Sequence, residues 1–379
     1  MCHSQPQSFN LDIDIFVHAE YRDTVPNDPL VGSFRKVMLE RNNTRPPGLG
    51  DRFVTLSEAL SPFGRPYLFA AYHSGDVLRR LRAFVAGERY DVVLWVGPRR
   101  RELLLRLTPL LSGARLVYDS IDSPYLYYSR EPRPAGVGGL WRSFDLWKTR
   151  RWEKSLLRGL DSTAYISAPD AAAACNGDAA GAQIIPNGIY LAGEKAPDGA
   201  AANGMTVGFL GAMDYLPNIR ASLRLYEKIF TPLKKELPAL KLAIIGRSPT
   251  PEVSALASPD VEVTGTVESI WPHVAGVSVF VYPMIGGAGL QNKILEAMHA
   301  GKPVVTTENC RKSIGARDGR EILVGRSDEE LREHTRALVT QPEYARDLGI
   351  RGKAYVDRTF EVSQVVKRFQ RFLIPGEEA

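Results

Sequence analysis

Two runs of short apolar segments alternate with helical stretches, and a stretch of small polar residues separates the runs. After the break, strand-like segments fall near 206–210, 240–245, 261–264, 277–282, 303–307 and 321–324. The last four are nearly continuous hydrophobic runs, as strands buried on both faces must be. Helical periodicity lies between and beyond them at 219–236, 290–300, 328–340 and 342–359. Before the break, strands are expected near 12–17, 52–56, 91–96, 115–119 and 162–166, with helices such as 75–86 and 141–158. Such alternation dictates a parallel sheet with helices on both faces. The break begins at the turn dipeptide Asn187-Gly188 and continues through 192–204, AGEKAPDGAAANG, which has linker composition. The expected fold is therefore α/β, with two doubly wound Rossmann-like domains facing each other across a cleft. The first covers 1–190, the linker 191–204 and the second begins at 205. Ligands in such sheets sit beyond the carboxyl ends of the strands.

The 379 residues suit two domains, and no repeat of 20–50 residues interrupts the pattern. No run approaches the roughly 18 apolar residues of a membrane span, and the segment 11–17 is too short and too acidic for a signal peptide. Cys2, Cys175 and Cys310 are odd in number and far apart, which points to reduced thiols and a cytoplasmic location. A net charge of +5 favours anionic partners such as phosphates. It is also the sole support for nucleic-acid binding, for which no recognised module is present.

The segment 282–305, YPMIGGAGLQNKILEAMHAGKPVV, carries the most chemistry. A buried strand ends at Tyr282-Pro283, a glycine loop follows at 286–289, and a helix starts with Leu290, Ile294, Leu295 and Met298 on its apolar stripe. Glycines let backbone amides approach an anion, and a helix start adds partial positive charge. Lys293 adds a full charge suited to a pyrophosphate. Glu296, three residues on, accepts two hydroxyl hydrogen bonds of the kind a ribose offers. From spacing alone, a tight turn followed by a surface Lys–Glu pair fits equally well.

Three further strand ends lead into glycine loops. GAMDYLPN begins at Gly211, and its Asn218 also suits a helix N-cap. IIGRSP places Arg247 after Gly246, where its guanidinium can fork onto a phosphate or simply face solvent. VTGTV offers main-chain groups around Gly265 to Val267 to a nucleobase.

With IIPNGI, these segments in this order resemble bacterial glycosyltransferases of family four, which have a two-Rossmann fold termed B-type or GT-B. The chain is most similar to the exopolysaccharide-associated sugar transferases carrying G-x-M-D-Y-x-P-N and G-x-Q-N-K-x-L-E-A-M. The resemblance covers nearly the whole chain and is strongest in its C-terminal half. It implies a donor domain at 205–358 and a C-terminal helix at 359–379 crossing back to the N-terminal domain. It implies hexosyl transfer from a UDP- or GDP-sugar, with retention, to a saccharide or lipid-linked acceptor in bacterial surface or exopolysaccharide synthesis. Gly287 and Gly289 would meet the pyrophosphate, Arg247 and Lys293 would neutralise it, and Glu296 would bind the ribose. Val267 would touch the base, and the loop around Gly211 and Asp214 would border the transferred sugar. Many members hold that sugar with a glutamate eight positions before the ribose-binding one. Here that position is Ala288, so other groups must hold it.

In the first half, VYDSIDSP places Asp119 at a strand end and Asp122 three residues on. They suit an acceptor-binding carboxylate or a proton acceptor, or else an Asx turn plus an N-cap. His73 suits a contact to sugar or acceptor, or a structural role. The histidines lack metal-ligand spacing and no carboxylate pair adjoins the glycine loops, so neither metal nor cofactor is expected. Retention implies that the leaving phosphate takes the acceptor proton. Along 141–158, Lys148, Arg151, Ser155 and Arg158 fall on one side among tryptophans. This suits peripheral contact with the inner face of a membrane, or a solvated basic face over buried tryptophans. A nucleotide-sugar epimerase of the same fold is the alternative enzyme.

Overall fold

The computed structural model describes residues 14–19, 36–41, 60–62, 66, 75–98, 101–175, 177, 181–189, 204–286 and 289–375. By density of contacts, one compact unit lies within 1–93 and 99–115, and a second within 94–98 and 116–379. Strands β1 (Asp14–Ala19) and β2 (Lys36–Arg41) pair in parallel. Strands β3 (Val92–Val96), β4 (Arg115–Asp119), β5 (Ser162–Tyr165) and β6 (Gln183–Ile184) form a sheet in that order, with β4, β5 and β6 parallel.

A six-stranded sheet dominates the second unit. Its members are β7 (Thr206–Leu210), β8 (Lys241–Ile245), β9 (Val261–Val263), β10 (Val279–Tyr282), β11 (Val304–Thr306) and β12 (Leu323–Val324). The order is β12-β11-β10-β7-β8-β9, and every pairing is parallel. The chain therefore winds outward from β7 twice, and the direction reverses between β7 and β10. All four residues of β10 and all three of β11 are buried, which is why these strands read as unbroken hydrophobic runs. The mixed α/β architecture, with its doubly wound parallel sheet, is the class expected.

Several elements depart from expectation. β2 and β6 were not foreseen, and the strand expected at 52–56 lies outside the described residues, as does the linker apart from Gly204. The helix expected at 219–236 begins at Leu216, with Pro217 in its first turn, a position proline favours. It widens into a π-helical stretch, Leu225–Phe230, before Thr231–Glu236. Pro232 has no amide to donate to the preceding turn, so the regular ladder breaks there. Asn218 is not the N-cap, which is Tyr215. Asn218 is instead buried, two residues inside the helix. The helix after the glycine loop spans Asn292–His299. The long helix Pro342–Phe360 ends where the Ile189 amide donates to the Phe360 carbonyl at 2.7 Å, and Val362–Leu373 follows.

Candidate active site

The segments that follow β7, β8, β9 and β10 surround a cavity of about 630 Å³ at the reversal of strand order, where doubly wound sheets bind ligands. Gly211 follows β7, Gly246 and Arg247 follow β8, Gly265 to Val267 follow β9, and Lys293 and Glu296 come from the first turns of helix Asn292–His299. The loops lie close together. At Gly246, whose φ is +150°, a Cβ would fall 1.8 Å from the Gly211 carbonyl oxygen, so no side chain fits there. The Gly211 amide donates to Ile245 at 2.9 Å, and the Met213 amide donates to Arg247 at 2.9 Å, tying the first two loops together.

Lys293 is half-buried, because helix Asn292–His299 packs against β7. Its Nζ donates to the Asn218 side-chain oxygen and lies 5.8 Å from the centre of the Phe209 ring. Asn218 is held in turn by donating to the Ala212 carbonyl at 2.9 Å. The Tyr282 hydroxyl donates to the Lys293 carbonyl at 3.0 Å, pinning the helix turn to β10. Burial lowers the Lys293 ammonium to about 8, against the opposing pull of Cys310 and Glu296. Burial raises the Glu296 carboxyl, and Lys293 partly restores its acidity. Arg247 is exposed at the mouth. Two cations and one carboxylate thus share a wall with helix-start amides, an arrangement suited to a diphosphate linked to a diol.

A second wall comes from the loop after β4. Asp119 accepts from the Ile121 amide at 3.0 Å, an Asx turn, and does not line the cavity. Ser123, not Asp122, caps the helix Pro124–Arg130 by accepting from the Leu126 amide. Asp122 is left to line the cavity. Burial, then the negative charges of Asp170 and Asp119, push its carboxyl up to about 6. Gly289, with φ +71°, packs against it, and a Cβ there would come within 2.1 Å of Asp122 Oδ1.

Two buried carboxylates that sequence reasoning missed hold this loop. Asp170 accepts from the Ser123 amide at 2.9 Å, from the Ser167 hydroxyl and from the Gly289 amide. Glu153 accepts from the Ser123 hydroxyl at 3.0 Å and the Tyr125 amide at 3.1 Å. Burial raises both carboxyls, Glu153 to about 7. The capping-box pattern Ser167-x-x-Asp170 was visible as a local signal. Nothing local signals Glu153, which lies mid-helix.

Of the residues expected at the site, Gly211, Arg247, Val267, Lys293, Glu296 and Asp122 line one cavity, and Gly289 borders it through Asp122. Asp214 is exposed on its turn, away from the lining. His73 and Gly287 lie outside the described residues. Among the described residues, no cluster of three His, Cys, Asp or Glu side chains is placed to hold a metal, and no helix is long and apolar enough to cross a membrane. The helix foreseen at 141–158 spans Val137–Leu156. The expected basic face is corrected: Lys148 is buried, its ammonium 5.6 Å from the centre of the Phe144 ring. The exposed stripe is apolar instead, with Val137 82% and Leu140 74% exposed alongside Trp141 and Trp147, while Trp152 is buried.

Residues 204–341 match the family model described as Glycosyl transferases group 1. No curated protein matches the chain. Among solved structures, sucrose-phosphate synthase from Thermosynechococcus elongatus is 17% identical, with a TM-score of 0.62 over 81% of this chain and 78% of that one. HepE of Anabaena, solved with UDP and glucose, is 14% identical, with a TM-score of 0.61 over 94% and 91%. TarM of S. aureus is 12% identical, with a TM-score of 0.61 over 78% of this chain, which spans 57% of TarM. At these identities the likeness establishes the GT-B fold.

Proposed function

We propose that the protein is a glycosyltransferase that moves a hexosyl group from a nucleoside-diphosphate sugar to a saccharide or lipid-linked acceptor, with retention, in bacterial surface or exopolysaccharide synthesis. The observation that carries this reading is the convergence of Arg247, Lys293 and Glu296 on one cavity at the strand-order reversal. The match of 204–341 to Glycosyl transferases group 1 supports it, as do neighbours such as HepE, solved with UDP and glucose. Arg247 and Lys293 meet the diphosphate charge in place of a metal ion, and Glu296 takes the ribose hydroxyls. Val267 approaches the base. As the sugar–phosphate bond breaks, the leaving phosphate accepts the acceptor hydroxyl's proton on the same face while the new glycosidic bond forms. The domain limits 1–190 and 205–358, with the helix 359–379 returning to the first domain, belong to the same reading.

The lipid-linked acceptor fits a protein that rests on the cytoplasmic face of an anionic membrane. Val137, Leu140, Trp141, Phe144 and Trp147 share one side of helix Val137–Leu156. From 131 to 159, the exposed charged residues are all positive: Arg133, Arg150, Arg151 and Arg158. Apolar side chains flanked by cations fit an anionic bilayer better than a second copy of this basic chain.

Calorimetry with UDP, GDP and ADP and their sugars tests the donor site. Saturable binding of one diphosphate, with its release from the sugar donor only when an acceptor is present, is expected. Interconversion of the donor sugar without acceptor would indicate an epimerase, and no binding of any diphosphate would overturn the reading.

A further inference from the structure

Among the described residues lining the cavity, two are carboxylates, Glu296 and Asp122. Glu296 stands one turn from Lys293, on the wall assigned above to ribose. Asp122 faces the cavity from the loop after β4, against the end of the glycine loop. We propose that Asp122 holds the transferred sugar of the donor by accepting its hydroxyl hydrogen bonds, and so selects a neutral sugar over one bearing a carboxylate. The inference rests on the reading of the cavity as a nucleotide-sugar site.

Four observations carry it. The position from which the resembled family reaches the sugar with a glutamate holds Ala288, which cannot accept a hydrogen bond through its side chain. Asp122 reaches the end of the glycine loop: it packs so closely on Gly289 that any side chain at 289 would collide with the carboxylate. The backbone around Asp122 is fixed and strained. Ile121 sits in the left-handed region at φ +64°, a conformation that a β-branched residue rarely adopts and that persists only where its surroundings enforce it. Its surroundings do so, through the Ile166 amide bonded to the Ile121 carbonyl at 2.8 Å, the Ser120 hydroxyl on the Asp122 carbonyl at 3.0 Å, and Asp170 and Glu153 on Ser123. Finally, the ionisable groups that act electrostatically on Asp122 are acidic: Asp119 from its own loop and Asp170 from helix Ala168–Ala174, while Tyr215 from the β7 loop couples to it as well. A sugar hydroxyl donates into this field. A hexuronate carboxylate placed against Asp122 meets a like charge and is repelled.

The test compares UDP, UDP-glucose and UDP-glucuronate, and GDP with GDP-mannose, by calorimetry on wild type, Asp122→Ala and Asp122→Asn. Melting curves establish that each variant is folded. Asp122→Ala is expected to leave the Kd for the free diphosphate within about twofold and to weaken the neutral-sugar donor at least about tenfold. Asp122→Asn, which keeps one acceptor and removes the charge, should fall between them for the hexose and should narrow the preference for hexose over hexuronate. Equal losses for diphosphate and sugar donor would overturn the proposal, because Asp122 would then merely support the glycine loop. Unchanged donor affinity in both variants would overturn it as well. If wild type binds no diphosphate at all, the donor-site reading fails first, and this assignment fails with it.

Discussion

The ammonium of Lys293 is hydrogen-bonded to the side-chain oxygen of Asn218, 75 residues earlier in the chain, on the wall of the cavity. The bond aims a half-buried cation at the space a diphosphate would occupy. Each charge-assisted hydrogen bond to phosphate should contribute about 1.5–3 kcal/mol. Lys293→Ala is therefore expected to weaken diphosphate binding by at least about tenfold and to leave the bare nucleoside almost unchanged. The wild-type affinity should also fall as pH rises above about 8, because the free ammonium loses its proton there while the bound anion favours the charged form. Lys293→Arg should flatten that profile. Equal loss for nucleoside and diphosphate would mean that Lys293 supports the fold rather than the phosphate.

Glu296 is the other half of that wall. If it accepts both ribose hydroxyls, wild type should prefer UDP to 2′-deoxy-UDP, or GDP to its deoxy analogue, by several-fold. Glu296→Ala should erase the preference and most of the turnover, with an intact melting transition. Near-normal donor affinity in the variant would refute the ribose assignment.

The legible and illegible parts of the site divide by the range of the interactions. Lys293 and Glu296 could be read because a strand, a glycine loop and a helix start lie within fifteen residues, and a three-residue spacing fixes a shared face. Asp119 could be read as an Asx turn because its bond to Ile121 spans two residues. The roles of Asn218 and Glu153 could not be read, and Asp170 was legible only as a local cap: their decisive partners lie 75, 30 and 47 residues away. Lys148 shows the same limit on a helix. The wheel placed it with Arg151, but packing buried Lys148 and left Trp147 outside.

That exposed tryptophan supports a measurement on vesicles. Wild type should sediment with vesicles of phosphatidylcholine and phosphatidylglycerol and not with phosphatidylcholine alone. Arg150→Gln with Arg151→Gln should reduce binding roughly 30-fold, at about 1 kcal/mol for each arginine. Leu140→Ser with Trp147→Ser should reduce it further while leaving turnover on a soluble acceptor unchanged. Concentration-dependent dimerisation abolished by the same pair would assign the stripe to a second copy instead.

Glu153 makes the stability of the fold depend on pH in a direction opposite to that of an ordinary salt-bridged carboxylate. Burial raises its carboxyl from 4.5 to about 7, so the folded state holds a proton that the unfolded chain has already released. Stability from this group is complete below about 4.5 and is lost as pH rises through 7. At about 1.4 kcal/mol per unit, the loss approaches about 3 kcal/mol at pH 8. One carboxylate oxygen, Oε2, receives both the Ser123 hydroxyl and the Tyr125 amide, and a glutamine carbonyl can receive the same two donors. Glu153→Gln carries no charge to desolvate, although its amide brings two donors into a buried place. The difference in Tm between variant and wild type should therefore be more positive at pH 8 than at pH 5. A difference that is independent of pH would show that Glu153 is ionised in the folded protein across that range.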